Sequence, residues 1–153
     1  MKQRYKLKCA VCLILTKIEN DVEYILLQKR MNTGVLDGRY DVSCAGHLEK
    51  NETLIEAVIR ETKEEIGITV KKEDLQYIST MHANFKGDEY ILVAFNTNKY
   101  LGQPKIMETD KCSELKWCDI NHLPKELADT RRLMIDDYKT NNRYREYGFN
   151  KRK

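Results

Sequence analysis

The sequence predicts an α/β domain in which helices are layered on a mixed β-sheet. Three observations carry that prediction. Apolar or alternating runs of strand length stand on both sides of one amphipathic helical stretch, and a second helical stretch follows near the end. No internal repeat, low-complexity tract or Pro/Gly/Ser-rich linker divides the 153 residues, so 1–153 reads as one domain. A chain of that length buries roughly 68–70% of its unfolded surface.

Residues 7–15, LKCAVCLIL, are apolar except for Lys8 and read as a buried strand. After the polar turn at Glu19, Asn20 and Asp21, VEYILLQKR reads as its hairpin partner. Residues 31–46 are irregular, with Gly34, Gly38 and Gly46 as breakers and a short strand within residues 40–44. The helix comes next. Thr53 and Glu56 fit a capping box, and Gly67 followed by Ile68 fits a left-handed stop. Ile55, Val58, Ile59, Thr62 and Ile66 recur at helical spacing, so that side should bury against the sheet. LQYISTMHANF and YILVAFNT form a second strand pair around Lys86-Gly87-Asp88, LKWC a further strand, and residues 123–138 a helical region with Met134, Ile135 and Tyr138 inside.

Composition excludes several classes of function. The 41% hydrophobic and 33% charged residues are ordinary for a soluble globular protein, and no apolar run approaches the roughly 18 residues of a membrane span. The basic start followed by CAVCLIL faintly imitates a signal peptide, but no small-residue cleavage site precedes Lys17 and Glu19. Five cysteines with no need of staples read as reduced core thiols of a cytoplasmic protein. Cys9-x-x-Cys12 is a poor half of a zinc site, because residues three apart in a strand point to opposite faces. A net charge of +3 is too small to argue for nucleic acid. The basic end, NNRYREYGFNKRK, reads as a frayed, solvated tail, with contact to an anionic ligand or a partner subunit as the alternative.

One turn and a half of the central helix is harder to explain. Glu61, Glu64 and Glu65 stand at i, i+3 and i+4, so their carboxylates share one face. Like charges at these spacings cost about 0.2–0.5 kcal/mol per pair, in a last turn where the macrodipole already disfavours them. Arg60 can pair with Glu56 and Glu64 but cannot neutralise every carboxylate. A divalent cation reverses the sign of this cost: magnesium takes oxygen ligands, often a few carboxylates together with substrate phosphates.

The spacing adds a specific signal. Gly46, Glu52, Arg60-Glu61, Glu64-Glu65 and Gly67 match all seven fixed positions of the Nudix box, a chance event on the order of one in a million at ordinary residue frequencies. The sequence thus resembles the Nudix hydrolases. Thr62 departs slightly, standing where an aliphatic residue is usual. NTGVLDGRYDVSCAGHLE, WCDINHLP and YREYGF extend the similarity to MutT-like members. The resemblance implies an α/β/α sandwich around a mixed sheet, and dimers are common in the family.

It also implies roles. Glu61, Glu64 and Glu65 would line a magnesium (or manganese) site, with Glu64 and Glu65 as direct ligands and Glu61 as a ligand or a residue orienting water. The carbonyl of Ala45 would complete the metal's ligands, and Gly46 would let the backbone pass close by, a simple turn glycine being the competing explanation. Glu52 and Arg60 would hold the loop and the carboxylates in place. Glu56 is explained by the cap. Outside the box, Glu108 is the candidate for a further acid, with Asp110 behind it. His47 and His82 read as ordinary hydrogen-bonded side chains before substrate contacts. Arg30, Arg39 and Lys111 are candidates for phosphates; Tyr40, Phe85 and Tyr90 for stacking on a base, although aromatics in strands are more often core. The implied activity is magnesium-dependent cleavage of a nucleoside diphosphate linked to X, a nucleoside triphosphate first among them. The alternatives are a non-catalytic nucleotide-sensing module, a hydrolase of capped RNA and, further off, an isoprenoid-diphosphate isomerase.

Overall fold

The computed structural model describes residues 1–150. Its strands are β1 (Lys8–Glu19), β2 (Val22–Arg30), β3 (Tyr40–Asp41), β4 (Cys44–His47), β5 (Gln76–Phe85), β6 (Asp88–Thr97), β7 (Cys112–Asp119) and β8 (Tyr144–Tyr147). The helices are α1 (Leu54–Ile66) and α2 (Asp129–Thr140), with a short 3-10 turn at Lys72–Asp74. The strands form one mixed sheet in the order β3-β2-β1-β6-β5-β8, with β4 added to β1 and β7 to β2. Two strand pairs close through tight loops whose inner residues have positive φ: Asn20 and Asp21 between β1 and β2, Lys86 and Gly87 between β5 and β6.

β1 explains why its run is apolar on both faces. Val11, Leu13 and Leu15 pack with Ala57, Val58 and Ile66 of α1. The alternate residues Cys12 and Ile14 pack with Met134 and Ile135 of α2. Side chains that alternate across the strand therefore feed two cores, and a helix covers each face. Strand β1 also divides its partners along its length. It runs parallel to β6 from Lys8 to Leu15, pairs with β4 through residues 10–13, and pairs with β2 only from Thr16 onward.

Four details differ from the sequence reading. Helix α2 starts at Asp129. Before it, Tyr40 donates its amide to Glu126 O and Ala128 donates to Tyr40 O, so these backbone groups serve β3 instead of a helix. The expected short strand at 40–44 is two strands, and Gly46 lies inside β4 rather than breaking the chain. On α1 the buried residues are Ala57, Val58, Thr62 and Ile66, while Ile55 and Ile59 are half-buried. Within the basic end, residues 144–147 form a strand: β8 pairs parallel with β5. Arg145 grips the buried Asp137 of α2 at 2.6 Å. The last three residues of that segment, 151–153, lie outside the described residues.

All five cysteines are free thiols. Burial pushes the Cys12 thiol up to about 11. Among the described residues no helix is long and apolar enough to cross a membrane.

Candidate functional site

The central helix is fixed at both ends. Thr53 Oγ1 accepts from the amide of Glu56, and the Glu56 carboxylate accepts from the amide of Thr53. Glu56 is thus committed to the cap, as the sequence suggests, and of Glu56 and Glu64, the two acids expected to reach Arg60, the ion pair goes to Glu64. At the other end Gly67 takes a left-handed conformation, φ 71°. The amides of Lys105 and Met107 then donate to the free carbonyls of Ile66 and Glu65. This contact draws the 103–108 loop over the last turn of α1.

On that turn Arg60 is the organising cation. Its Nε and Nη2 donate to the two oxygens of Glu52 at 2.6 and 3.1 Å. Its Nη1 donates to Glu61 at 2.7 Å and to Glu64 at 3.2 Å, and Nη2 also donates to the carbonyl of His47 at 3.1 Å. One guanidinium therefore ties α1 to the loop before it and to the end of β4. Glu52 in turn accepts from the amide of Glu49, and the Arg60 contact holds its carboxyl below the usual range.

Glu65 is placed differently. It accepts from Gln28 Nε2 at 3.0 Å and from the Ala45 amide at 3.3 Å, and it has no cationic partner among the described residues. Burial pushes its carboxyl up to about 8. Burial raises Glu61 as well, against the pull of Arg60. Gly46 passes directly over Glu61: a Cβ there would lie 2.0 Å from the Glu61 carboxyl carbon. The glycine is therefore needed for close approach.

Glu61, Glu64 and Glu65 meet Ala45, Gly46 and Glu108 around a cavity of about 340 Å³. Arg30 and Lys111 also line it, and Lys111 stands 3.5 Å from Glu108. Asp110 is exposed and outside, and Arg39 turns away toward the Leu127 carbonyl. His82 stands apart, bonded to Glu89 and packed on Phe149. Tyr40 is core, its hydroxyl donating to Glu114.

A second cavity of about 470 Å³ shares Arg30, Ala45, Gly46 and His47 with the first. Phe85 and Tyr90 form part of its wall and Asp41 and Arg131 are among its polar lining residues. The His47 ring is hydrogen-bonded to the Tyr90 hydroxyl at 3.1 Å. Gln28, Asp41 and Arg131 escaped the sequence reading. Their one signal is a polar residue inside an otherwise buried segment, which by itself does not say what the residue faces.

The donors around the first cavity are oxygen atoms, the chemistry that suits a hard divalent cation such as magnesium. A buried carboxyl with only neutral partners, and a glycine that keeps the backbone against Glu61, both fit such an ion. Among the described residues the acids are not gathered into a ready cage of three. Glu61 and Glu64 are turned to Arg60, and Glu65 to Gln28 and Ala45.

Residues 6–138 match the family model described as NUDIX domain. An ADP-ribose pyrophosphatase of Methanocaldococcus jannaschii is 31% identical over 121 residues, 79% of this chain and 68% of that protein. The NAD-capped RNA hydrolase NudC of Vibrio atlanticus is 33% identical over 112 residues, 72% of this chain and 38% of that longer protein. Among solved structures, a MutT NUDIX hydrolase from Burkholderia pseudomallei superimposes with a TM-score of 0.76 at 20% identity, covering 87% of this chain and 98% of that one.

Proposed function

The chain belongs to the Nudix hydrolases, which cleave phosphoric anhydride bonds, and on that premise we propose that it is a magnesium-dependent pyrophosphohydrolase of nucleoside diphosphates linked to X. A nucleoside triphosphate, giving nucleoside monophosphate and pyrophosphate, is the first such substrate. One observation carries the reading. The carboxylates of Glu61, Glu64 and Glu65 line a cavity that adjoins an aromatic-walled one across shared residues, so a phosphate chain and a nucleoside have contiguous room.

Glu61, Glu64, Glu65 and the carbonyl of Ala45 would hold the cation, which when bound offsets phosphate charge and lowers the pKa of a bound water. The chain's own residues do the rest. Arg60 holds Glu61 and Glu64 at a fixed rotation of the helix and ties them to Glu52. Glu108, at the cavity rim, is the further acid able to orient or accept a proton from the attacking water. Arg30 and Lys111 meet phosphate oxygens for in-line displacement.

A second reading assigns a ribose-bearing group to X, because the names of both sequence relatives refer to such compounds. One screen tests both readings. The purified protein is assayed with magnesium against nucleoside triphosphates (oxidised purines included), dinucleotides and sugar nucleotides, with Glu64→Gln/Glu65→Gln as control. Turnover should require the metal, stop with a chelator and fall at least about 100-fold in the control. The best substrate identifies X. Tight nucleotide binding with no turnover anywhere would replace catalysis by sensing.

A further inference from the structure

The polar part of the second cavity holds an arrangement that the cleavage reaction does not use. Asp41 is 1% exposed and Arg131 9%. Arg131 Nε donates to Asp41 Oδ1 at 2.6 Å, and its Nη1 is 3.5 Å from Thr130 Oγ1. Nη2 has no acceptor among the described residues. No fully enclosed side-chain nitrogen or oxygen among them lacks a partner, so Nη2 keeps some accessible surface, and Arg131 is one of the residues that line the cavity. A largely buried guanidinium, anchored at Nε by Asp41 and with Nη2 unengaged among the described residues, thus borders an otherwise largely apolar space.

Two ligand chemistries compete for such a group. An anion would suit a guanidinium with free charge, but Asp41 already balances Arg131. Arg30, 3.6 Å from the other oxygen of Asp41, is the cation that also reaches the acid-lined cavity, and phosphates belong on that side. Leu92, Val35, Phe85 and Tyr90 around the space favour a flat, uncharged ring. The end of a guanidinium matches two adjacent acceptors in one plane, as O6 and N7 of guanine provide. Adenine offers N7 beside an amino donor and would leave one Arg131 donor without a partner.

We propose that this cavity receives the base of the nucleotide, and that Arg131, braced by Asp41, reads an adjacent pair of acceptors so that 6-keto purines are preferred over adenine. Arg131 is a specificity residue and Asp41 its positioning residue. The proposal rests on the function above only in seating a nucleotide here, and its test needs no cleavage.

Calorimetric titration of the metal-free protein with four monophosphates decides it: GMP, IMP, AMP and 7-deaza-GMP. GMP and IMP keep both acceptors, whereas the other two lack one. GMP and IMP should bind at least about tenfold more tightly than AMP and 7-deaza-GMP. The paired variant Asp41→Asn/Arg131→Gln, which removes both charges together, should bring all four within about threefold of one another. AMP binding as tightly as GMP, no loss for 7-deaza-GMP, no saturable binding of any of the four, or a preference that survives in the variant would each overturn the proposal. If the variant does not fold, the four ligands on the unaltered protein still decide. Hydrolysis assayed separately keeps the two readings apart. Guanine-selective binding without turnover defeats the enzyme reading alone, and turnover without base preference defeats this one alone.

Discussion

Glu65 shows what a functional carboxyl costs the residue that carries it. It is pressed against Gln28 and the Ala45 amide, with burial pushing it up to about 8 and no cation beside it among the described residues. The folded chain therefore holds this proton more tightly than the unfolded chain does. Stability is lost as pH rises from the ordinary carboxylate range through about 8 in the absence of metal. Glu65→Gln keeps the volume and removes the charge. In a chelator, its thermal midpoint should match the parent near pH 5 and exceed it by about 2–4 °C, the equivalent of roughly 1 kcal/mol, near pH 8. Differential scanning calorimetry at the two pH values checks this, and a variant less stable than the parent at pH 8 would refute it. The crowding of acids was legible in the sequence because helical spacing is regular. The division of labour among them was not, since it depends on Gln28 and Ala45, which only the folded sheet brings to Glu65.

At the scale of elements, the site is a contact between strand and helix. β4 lies so close to α1 that Gly46 has no room for a Cβ beside Glu61. Gly46→Ala should drive the Glu61 carboxyl aside while the cores on the two faces of β1 stay packed. Turnover should then fall at least about 100-fold, with a cooperative melt retained. Steady-state kinetics beside a thermal melt measures both, and unchanged kinetics would show that Glu61 is not needed where it stands. Both helices, the two long hairpins and β7 were readable from periodicity and turn residues. The start of α2 was not. Residues 123–128 carry a helix-like pattern, but Tyr40 claims the backbone groups of Glu126 and Ala128. Local sequence does not record a partner more than 80 positions away. Strand β8 was hidden for the same reason, because its pairing with β5 is what makes it a strand.

Across the whole molecule, β8 is paired with β5 and tied to α2 by one buried acid. Asp137 on α2 accepts from Arg145 at 2.6 Å and from Asn142 at 2.8 Å, with no side-chain exposure of its own. Arg145→Leu would leave that acid with the neutral Asn142 as its remaining side-chain partner and should remove about 3 kcal/mol of stability. Urea denaturation gives the figure, and a loss below about 1 kcal/mol would mean that β8 is held by its pairing with β5 alone. The sheet is graded in the opposite sense around β4. Residues 10–13 of β1 carry backbone ladders on both sides, to β4 and to β6, whereas β4 has among the described residues a single ladder, to β1. Lifting β4 breaks one backbone ladder, together with the contacts of His47 to Arg60 and of Ala45 to Glu65, while opening β1 breaks two ladders. By backbone pairing alone, the strand that borders both cavities is thus tied more weakly than the strand behind it, and its amides should exchange first.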